Sequence, residues 1–230
     1  MNNNFRTLAI VPAYNEEKTI EKVISEIKDV GLIPVVVDDG STDKTYEIAK
    51  KMNITVIKHN ENKGKGEAIK TGFNYILKSL PEVKSVVILD GDLQYSPKDS
   101  TRILEVLEKN EADFVMGYRD WSTVPPRHNF GNLIWRGTFN LFFGTKLKDT
   151  NCGYMGLSRT AMKKIRRVHG GYIIENMMLL EALKNKLRIK QVPVSVTYRK
   201  KRGIPSCLRM GLGVLVFIII EGIKYQLSKI

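Results

Sequence analysis

Asp90 and Asp92 stand two positions apart at the end of an apolar run, in VVILDGDLQYSP, residues 86–97. Burying a bare carboxylate is costly unless something positive meets it. Where a strand runs into a loop, side chains at i and i+2 share one side, so the two acids face a common space. A divalent ion such as Mg²⁺ or Mn²⁺, held by one or two carboxylates plus substrate phosphates, answers that charge. Gly91 lets a ligand approach the backbone between them. A plain surface turn also accommodates Asp-x-Asp, but the place of this one after a buried strand, with Gln94 following, favours ion binding.

Other stretches carry compatible chemistry. In VVVDDGSTD, residues 35–43, Asp39 can accept a base N–H, Gly40 permits a tight turn, and Ser41 or Thr42 can cap the next helix. NKGKGEA, residues 62–68, puts glycines and lysines at a helix N-terminus, a natural anion site. It lacks the Walker spacing, and a flexible glycine loop is the competing reading. Glu175, in YIIENMMLL, is either a general base or an acid favoured at a helix start by the dipole. His59, His128 and His169 are scattered without metal-ligand spacing and are expected to be structural.

These groups need elements to hold them. Short β-branched runs alternate with helical patterns through the first half: TLAIVPAY, IPVVVDDG, ITVIKH, VKSVVILD and ADFVMGYR read as strands. The helices between them include one capped by Asn15, with Ile20, Val23, Ile24 and Ile27 on its apolar face, ending at Gly31. CGYMGLSR and RIKQVPVSVTYR are further strands, with IIENMMLLEALKNK a helix between them. The alternation predicts an α/β fold, a Rossmann-like, mainly parallel sheet with helices on both faces. Ligands of such sheets bind beyond the carboxyl ends of the strands. Asn15 and Glu16, Asp38 and Asp39, Asp90 and Asp92, and Arg119 all follow strands, so they are expected to converge on one cleft.

The charge is unevenly spread. Residues 1–120 carry 17 Lys+Arg against 20 Asp+Glu, whereas residues 121–230 carry 20 against 4. The second half therefore faces something anionic, or is simply a solvated basic surface. Two cysteines form no disulfide framework, and the N-terminus reads as no signal peptide, so a cytoplasmic protein is expected. Met210–Ile220 is an uncharged run of 11 residues, short of the roughly 20 needed to span a bilayer. It suits an interfacial segment or a packing surface for a membrane protein or a second copy of the chain.

VPAYNEE, VVVDDGSTD, NKGKGEA, LDGDLQ, GYR and DTNCGYMGLSR, in this order over about residues 6–206, resemble the inverting family-2 glycosyltransferases of GT-A fold. The closest likeness is to the dolichyl-phosphate mannose and glucose synthases. The resemblance implies nucleoside-binding positions at Pro12, Tyr14, Glu16, Val37 and Asp39, nucleotide contacts at Asp90 and Gly91, and metal ligands at Asp92 and Gln94. It implies a phosphate-holding Arg119, and donor-diphosphate and acceptor-phosphate contacts at Arg127 and at Arg199 or Arg202. Asp92, Arg119 and Arg127 are the expected catalytic set. Two positions depart from the family pattern: Ser206-Cys207 stands where Ser-Lys is usual, and Asp-Gly-Asp replaces the commoner Asp-Ala-Asp.

The resulting expectation is a catalytic domain over residues 1–206 and a basic, apolar, membrane-associating segment over 207–230. The enzyme would move a sugar from a nucleotide sugar to dolichyl or another polyprenyl phosphate, with Mg²⁺ or Mn²⁺, on the cytoplasmic face of a membrane and with no nucleic-acid partner. A lipid phosphate needs cations and no general base, which suits a half so poor in carboxylates. Transfer to a glycan hydroxyl, with Glu175 as base, is the enzymatic alternative. A non-catalytic basic module is the other, and it leaves the strand-end carboxylates without a role.

Overall fold

Leu8–Ala13 is buried at every position and forms β1, the strand from which the sheet extends to both sides. In the computed structural model, which describes residues 7–120, 126–168, 171, 173–197 and 207–228, a seven-stranded sheet has the order β3-β2-β1-β4-β6-β5-β7. The strands are β2 (Ile33–Asp38), β3 (Thr55–Lys58), β4 (Ser85–Ile88), β5 (Phe114–Arg119), β6 (Met155–Ser158) and β7 (Ile189–Val194). The helices are α1 (Ile20–Asp29), α2 (Thr45–Lys51), α3 (Lys65–Ser79), α4 (Ser100–Glu108), α5 (Pro126–Phe143), α6 (Arg159–Lys164), α7 (Ile174–Lys184) and α8 (Cys207–Leu227).

The predicted alternation is present, and pairing is parallel except where β6 runs antiparallel between β4 and β5. Near-continuous apolar runs such as VVV in β2 follow from burial on both faces. Arg159 ties α3 down: its guanidinium donates to the carbonyls of Leu77, Leu80 and Val83 at the helix C-terminus.

The capping expectations are corrected. Asn15 does not cap α1; it sits at φ 56°, and its side chain accepts from Thr42 N–H at 2.9 Å. Ser41 and Thr42 do not cap α2 either. Asp43 accepts from Thr45 N–H at 2.9 Å, and Ser41 Oγ accepts from Asn15 N–H. These polar residues stitch the β1 and β2 loops to each other, which local capping rules do not anticipate.

Two helices lie where the sequence rhythm breaks. In α5, Asn132, Phe139 and Phe143 are buried, at near-helical spacing, while Leu133 and Leu141 are exposed. In α8, Val214, Ile218 and Glu221 face inward, and Trp135 Nε1 of α5 donates to Gly211 O at 3.0 Å. Glu221 pairs with Arg167 and Lys184 at 3.2–3.5 Å, fastening α8 to the domain, and with Lys224 of its own helix at 2.9 Å. Helix α8 thus has one face docked and one face, Leu212, Val216, Ile220, Ile223 and Leu227, in the open.

Asp38 is a cost without visible return: it is fully buried, and neither carboxylate oxygen has a hydrogen-bond partner among the described residues. Asp38→Asn keeps the shape and removes the ionisable group, so it is expected to stabilise the fold by about 1–3 kcal/mol. Thermal unfolding would register this as a rise of roughly 2–4 °C per kcal/mol in a chain this size.

Candidate active site

A cleft of about 1070 Å³ opens beyond the carboxyl ends of β1, β2, β4 and β5. Of the residues expected to converge, Glu16, Asp39, Asp90, Asp92 and Arg119 line it, and so do Pro12, Tyr14 and Gln94. Asn15 and Asp38 do not; the first is exposed and the second buried beside the cleft. Val37 is fully buried in β2, paired in register with Pro12, and is not part of the cleft wall. Gly91 also stands off the wall, its carbonyl accepting from Thr19 Oγ at 2.7 Å. Arg127 belongs to α5 with its side chain outside the described residues, and Arg199 and Arg202 lie outside them altogether.

Asp39 is held rigidly. Oδ1 meets His59 Nδ1 at 2.7 Å and Lys63 N–H at 3.0 Å, and Oδ2 meets Gly64 N–H at 2.7 Å. His59 is itself placed by Thr71 Oγ at 2.9 Å from Nε2. The expected structural role for His59 therefore has a definite object. Gly40 follows at φ +71°, where an added Cβ would stand 2.4 Å from the Glu61 carbonyl carbon, so only glycine fits.

The β4 turn is braced on two sides. Thr19 Oγ reaches both Glu16 Oε2 and Gly91 O, linking the β1 loop to the Asp-Gly-Asp turn. Leu93 adopts φ 59°, a left-handed conformation that strains a branched residue, directly after Asp92. Asp92 is 8% exposed and accepts from Gln94 N–H at 3.1 Å.

The anion site expected in NKGKGEA is at the cleft: α3 starts at Lys65, and Asn62, Gly64 and Lys65 all line the wall. Lys65 Nζ lies 2.8 Å from Asp90 Oδ1 and 3.0 Å from Glu175 Oε1. Burial, the largest influence, pulls its pKa down, but Asp90 and then Glu175 outweigh it and hold the ammonium above its ordinary range. Asp90 and Glu175, far apart in the sequence, share one cation. A Cβ on Gly153 would stand 2.9 Å from both Asp90 Oδ2 and Lys65 Nζ, so this backbone closes over the triad.

Arg119 makes a two-pronged pair with buried Asp149, Nε to Oδ2 at 2.7 Å and Nη2 to Oδ1 at 2.9 Å. Desolvation presses the Arg119 pKa down, yet the Asp149 hydrogen bonds and charge carry it above the usual guanidinium value. Asp149, Asn132 and Asn151 were not singled out from sequence as site residues. Asp149 and Asn151 flank Thr150 in DTNCGYMGLSR, but only folding brings them to Arg119.

A divalent ion fits the donor set at the β4 turn. Asp92 and Gln94 both line the cleft and carry side-chain oxygens, while Asp90 is engaged by Lys65. Among the described residues no three His, Cys, Asp or Glu side chains form a metal-binding group. A partial oxygen set completed by substrate phosphates and water is the usual arrangement for Mg²⁺.

The far wall is different in kind. Ile134 and Trp135 of α5, with Leu212, Val214 and Leu215 of α8, line the same cleft. Sheet order separates these elements, which follow β5 and β7, from the β1 and β2 loops.

The family model for glycosyl transferase family 2 matches residues 8–166. An uncharacterised protein of Methanocaldococcus jannaschii is 31% identical over 93% of this chain and 100% of its own length. The UDP-N-acetylglucosamine–dolichyl-phosphate N-acetylglucosaminyltransferase of Methanococcus voltae is 28% identical over 82% of this chain and 84% of its own. Among solved structures, glucosyl-3-phosphoglycerate synthase of Mycobacterium tuberculosis superposes with a TM-score of 0.76 at 20% identity, covering 95% of this chain and 78% of that one. That likeness speaks to fold; the neighbour was crystallised with Mn²⁺, UDP and phosphoglyceric acid, and also with Mg²⁺ and UDP.

Proposed function

This chain belongs to glycosyl transferase family 2, and from that premise we propose that it moves one sugar from a UDP- or GDP-linked donor to dolichyl or another polyprenyl phosphate, inverting the anomeric carbon. The observation that carries this reading is the composition of the cleft. Nucleoside-type groups (Tyr14, Glu16, Asp39) line one part, charged groups (Asp90, Asp92, Lys65, Arg119) another, and apolar α5 and α8 side chains the remainder. An acceptor with a phosphate head and a hydrocarbon tail matches that sequence of surfaces. The dolichyl-phosphate acceptor in the Methanococcus voltae relative's name supports it.

The base and ribose of the donor meet Tyr14, Glu16 and Asp39. A carboxylate offers about four acceptor positions, and the contacts to His59, Lys63 and Gly64 leave Asp39 able to take a base N–H. The α3 N-terminus and Lys65 receive the diphosphate. Asp92 and Gln94 would hold Mg²⁺ or Mn²⁺, which when bound supplies charge neutralisation for the departing diphosphate. Arg119, kept oriented by Asp149, presents its guanidinium to the acceptor phosphate, with Arg127, Arg199 and Arg202 as further cations for the two phosphate groups. A phosphate monoester loses its second proton near pH 6, so its oxygen attacks the anomeric carbon without a base. Glu175 suits that chemistry: bound to Lys65, it is engaged in an ion pair and not in deprotonating a hydroxyl.

The segment over residues 207–230 is the membrane-contacting part of this reading, appended to a catalytic domain over 1–206. Its open apolar stripe lies on the helix that Glu221 ties to Arg167 and Lys184, and Lys163, Lys164, Arg166 and Lys186 are exposed on the same elements or beside them. Among the described residues no helix is long and apolar enough to cross a membrane, and in this reading the contact is peripheral. Exposed cations favour an anionic leaflet such as the cytoplasmic one.

The test is transfer from radiolabelled UDP- and GDP-sugars, with Mg²⁺, to polyprenyl phosphate and to oligosaccharide in parallel. Label is expected in the organic-extractable lipid and should survive Glu175→Gln. Label in oligosaccharide alone, abolished by Glu175→Gln, would move the assignment to a glycan hydroxyl acceptor.

A further inference from the structure

Glu175 and Asn176 are consecutive residues in the first turn of α7, and each heads a separate polar chain. Neighbouring helical residues point about 100° apart, so the two side chains leave α7 in different directions. Glu175 reaches Lys65 of α3, and Lys65 reaches Asp90 at the end of β4. Asn176 Nδ2 donates to Asn151 Oδ1, Asn151 Nδ2 donates to Asn132 Oδ1 on α5, and the same oxygen accepts from Arg119 Nη2 at 3.4 Å. The loop carrying Asn151 also carries Gly153, whose backbone packs on the Lys65 triad.

Stability alone does not account for this arrangement. Asn176 is fully buried, yet its Oδ1 has no partner among the described residues. A half-satisfied buried amide costs free energy, and a leucine of similar shape would avoid that cost. The feature that requires asparagine is the N–H directed at Asn151.

We propose that Glu175 and Asn176 form a positioning pair, with Glu175 setting Asp90 through Lys65 on the donor side and Asn176 setting Arg119 through Asn151 and Asn132 on the acceptor side. The pair rests on the reading of the cleft given above. Asn176 stands off the cleft wall and Glu175 reaches it beside Lys65; in this proposal each acts through a chain of hydrogen bonds, and the N-terminus of α7 registers the two halves of the cleft against each other.

The two branches are separable by experiment. Glu175→Gln preserves size and an acceptor for Lys65 but loses the charge; it is expected to weaken binding of UDP or GDP with Mg²⁺ in calorimetry by about tenfold, with the acceptor KM changed less than about twofold. Asn176→Leu is expected to raise the acceptor KM by about tenfold and leave nucleotide binding alone. Should Asn176→Leu fail to fold, Asn151→Ser, at a half-exposed loop position, cuts the same branch. The pH profile of kcat should keep its shape in Glu175→Gln, since a positioning residue removes no titrating limb. The inference is overturned if both variants shift both parameters alike, if neither shifts either, or if Glu175→Gln loses kcat together with its acid limb. A wild-type chain that binds no nucleoside diphosphate would overturn the reading of the cleft and this pair with it. Wild-type binding with unaltered variants overturns the pair alone.

Discussion

Asp92→Asn should leave a folded protein whose sugar transfer falls by about 10²–10³-fold, the scale of removing one preorganised charge-stabilising group. The fold survives because the contact Asp92 makes with Gln94 N–H uses an oxygen that asparagine retains. The chemistry does not, because Asp92 brings one of the two carboxylates of the β4 turn, the other being held by Lys65, and the substitution removes its charge. Chelation of divalent ions should reproduce the loss in the wild type, and added Mg²⁺ should restore the wild type far better than the variant. Full transfer by Asp92→Asn at ordinary Mg²⁺, with an unchanged melting temperature, would contradict an ion at this turn. A basic membrane- or nucleic-acid-binding module without catalysis predicts that same indifference.

The second large effect concerns α8. Val216 is 46% exposed and Ile220 47%, four residues apart on one stripe and off the cleft wall, so Val216→Asp with Ile220→Asp should not disturb the docked face. Each apolar side chain fully transferred from water is worth about 1.5–3 kcal/mol. Losing two, and adding two charges repelled by an anionic surface, should lower partition onto anionic vesicles by at least about a hundredfold. Transfer to polyprenyl phosphate in vesicles should fall in parallel, while transfer to a detergent-dispersed acceptor is largely retained. Unchanged vesicle binding, together with a shift from dimer to monomer in sedimentation, would instead assign the stripe to a second copy of the chain.

Parts of this molecule could be read directly and parts could not. The strands in VVVDD and VVILD stand out because a strand buried on both faces must be apolar throughout. Their chemistry stands out because polar residues appear only where the strand leaves the core. The helix α5 was harder to read: its buried face, Asn132, Phe139 and Phe143, includes a polar residue, and glycines interrupt its pattern. The helix α8 carries an apolar stripe on each side, one docked and one exposed, which blurs periodicity. Local capping rules do not place Asn15 and Ser41, because their partners lie 26–27 residues away, across two loops.

What the sequence determined alone is the alternating α/β architecture and most of the strand-end residues at the cleft, since both depend on local period and on where an apolar run stops. The partners of those residues were decided by tertiary structure. Lys65 meets Glu175 across 110 positions and Arg119 meets Asp149 across 30. Such pairs depend on strand order and on the direction each side chain leaves its element, and neither is encoded by spacing along the chain. The ion pairs that convert a row of separate charges into an organised cleft exist only once the sheet has assembled.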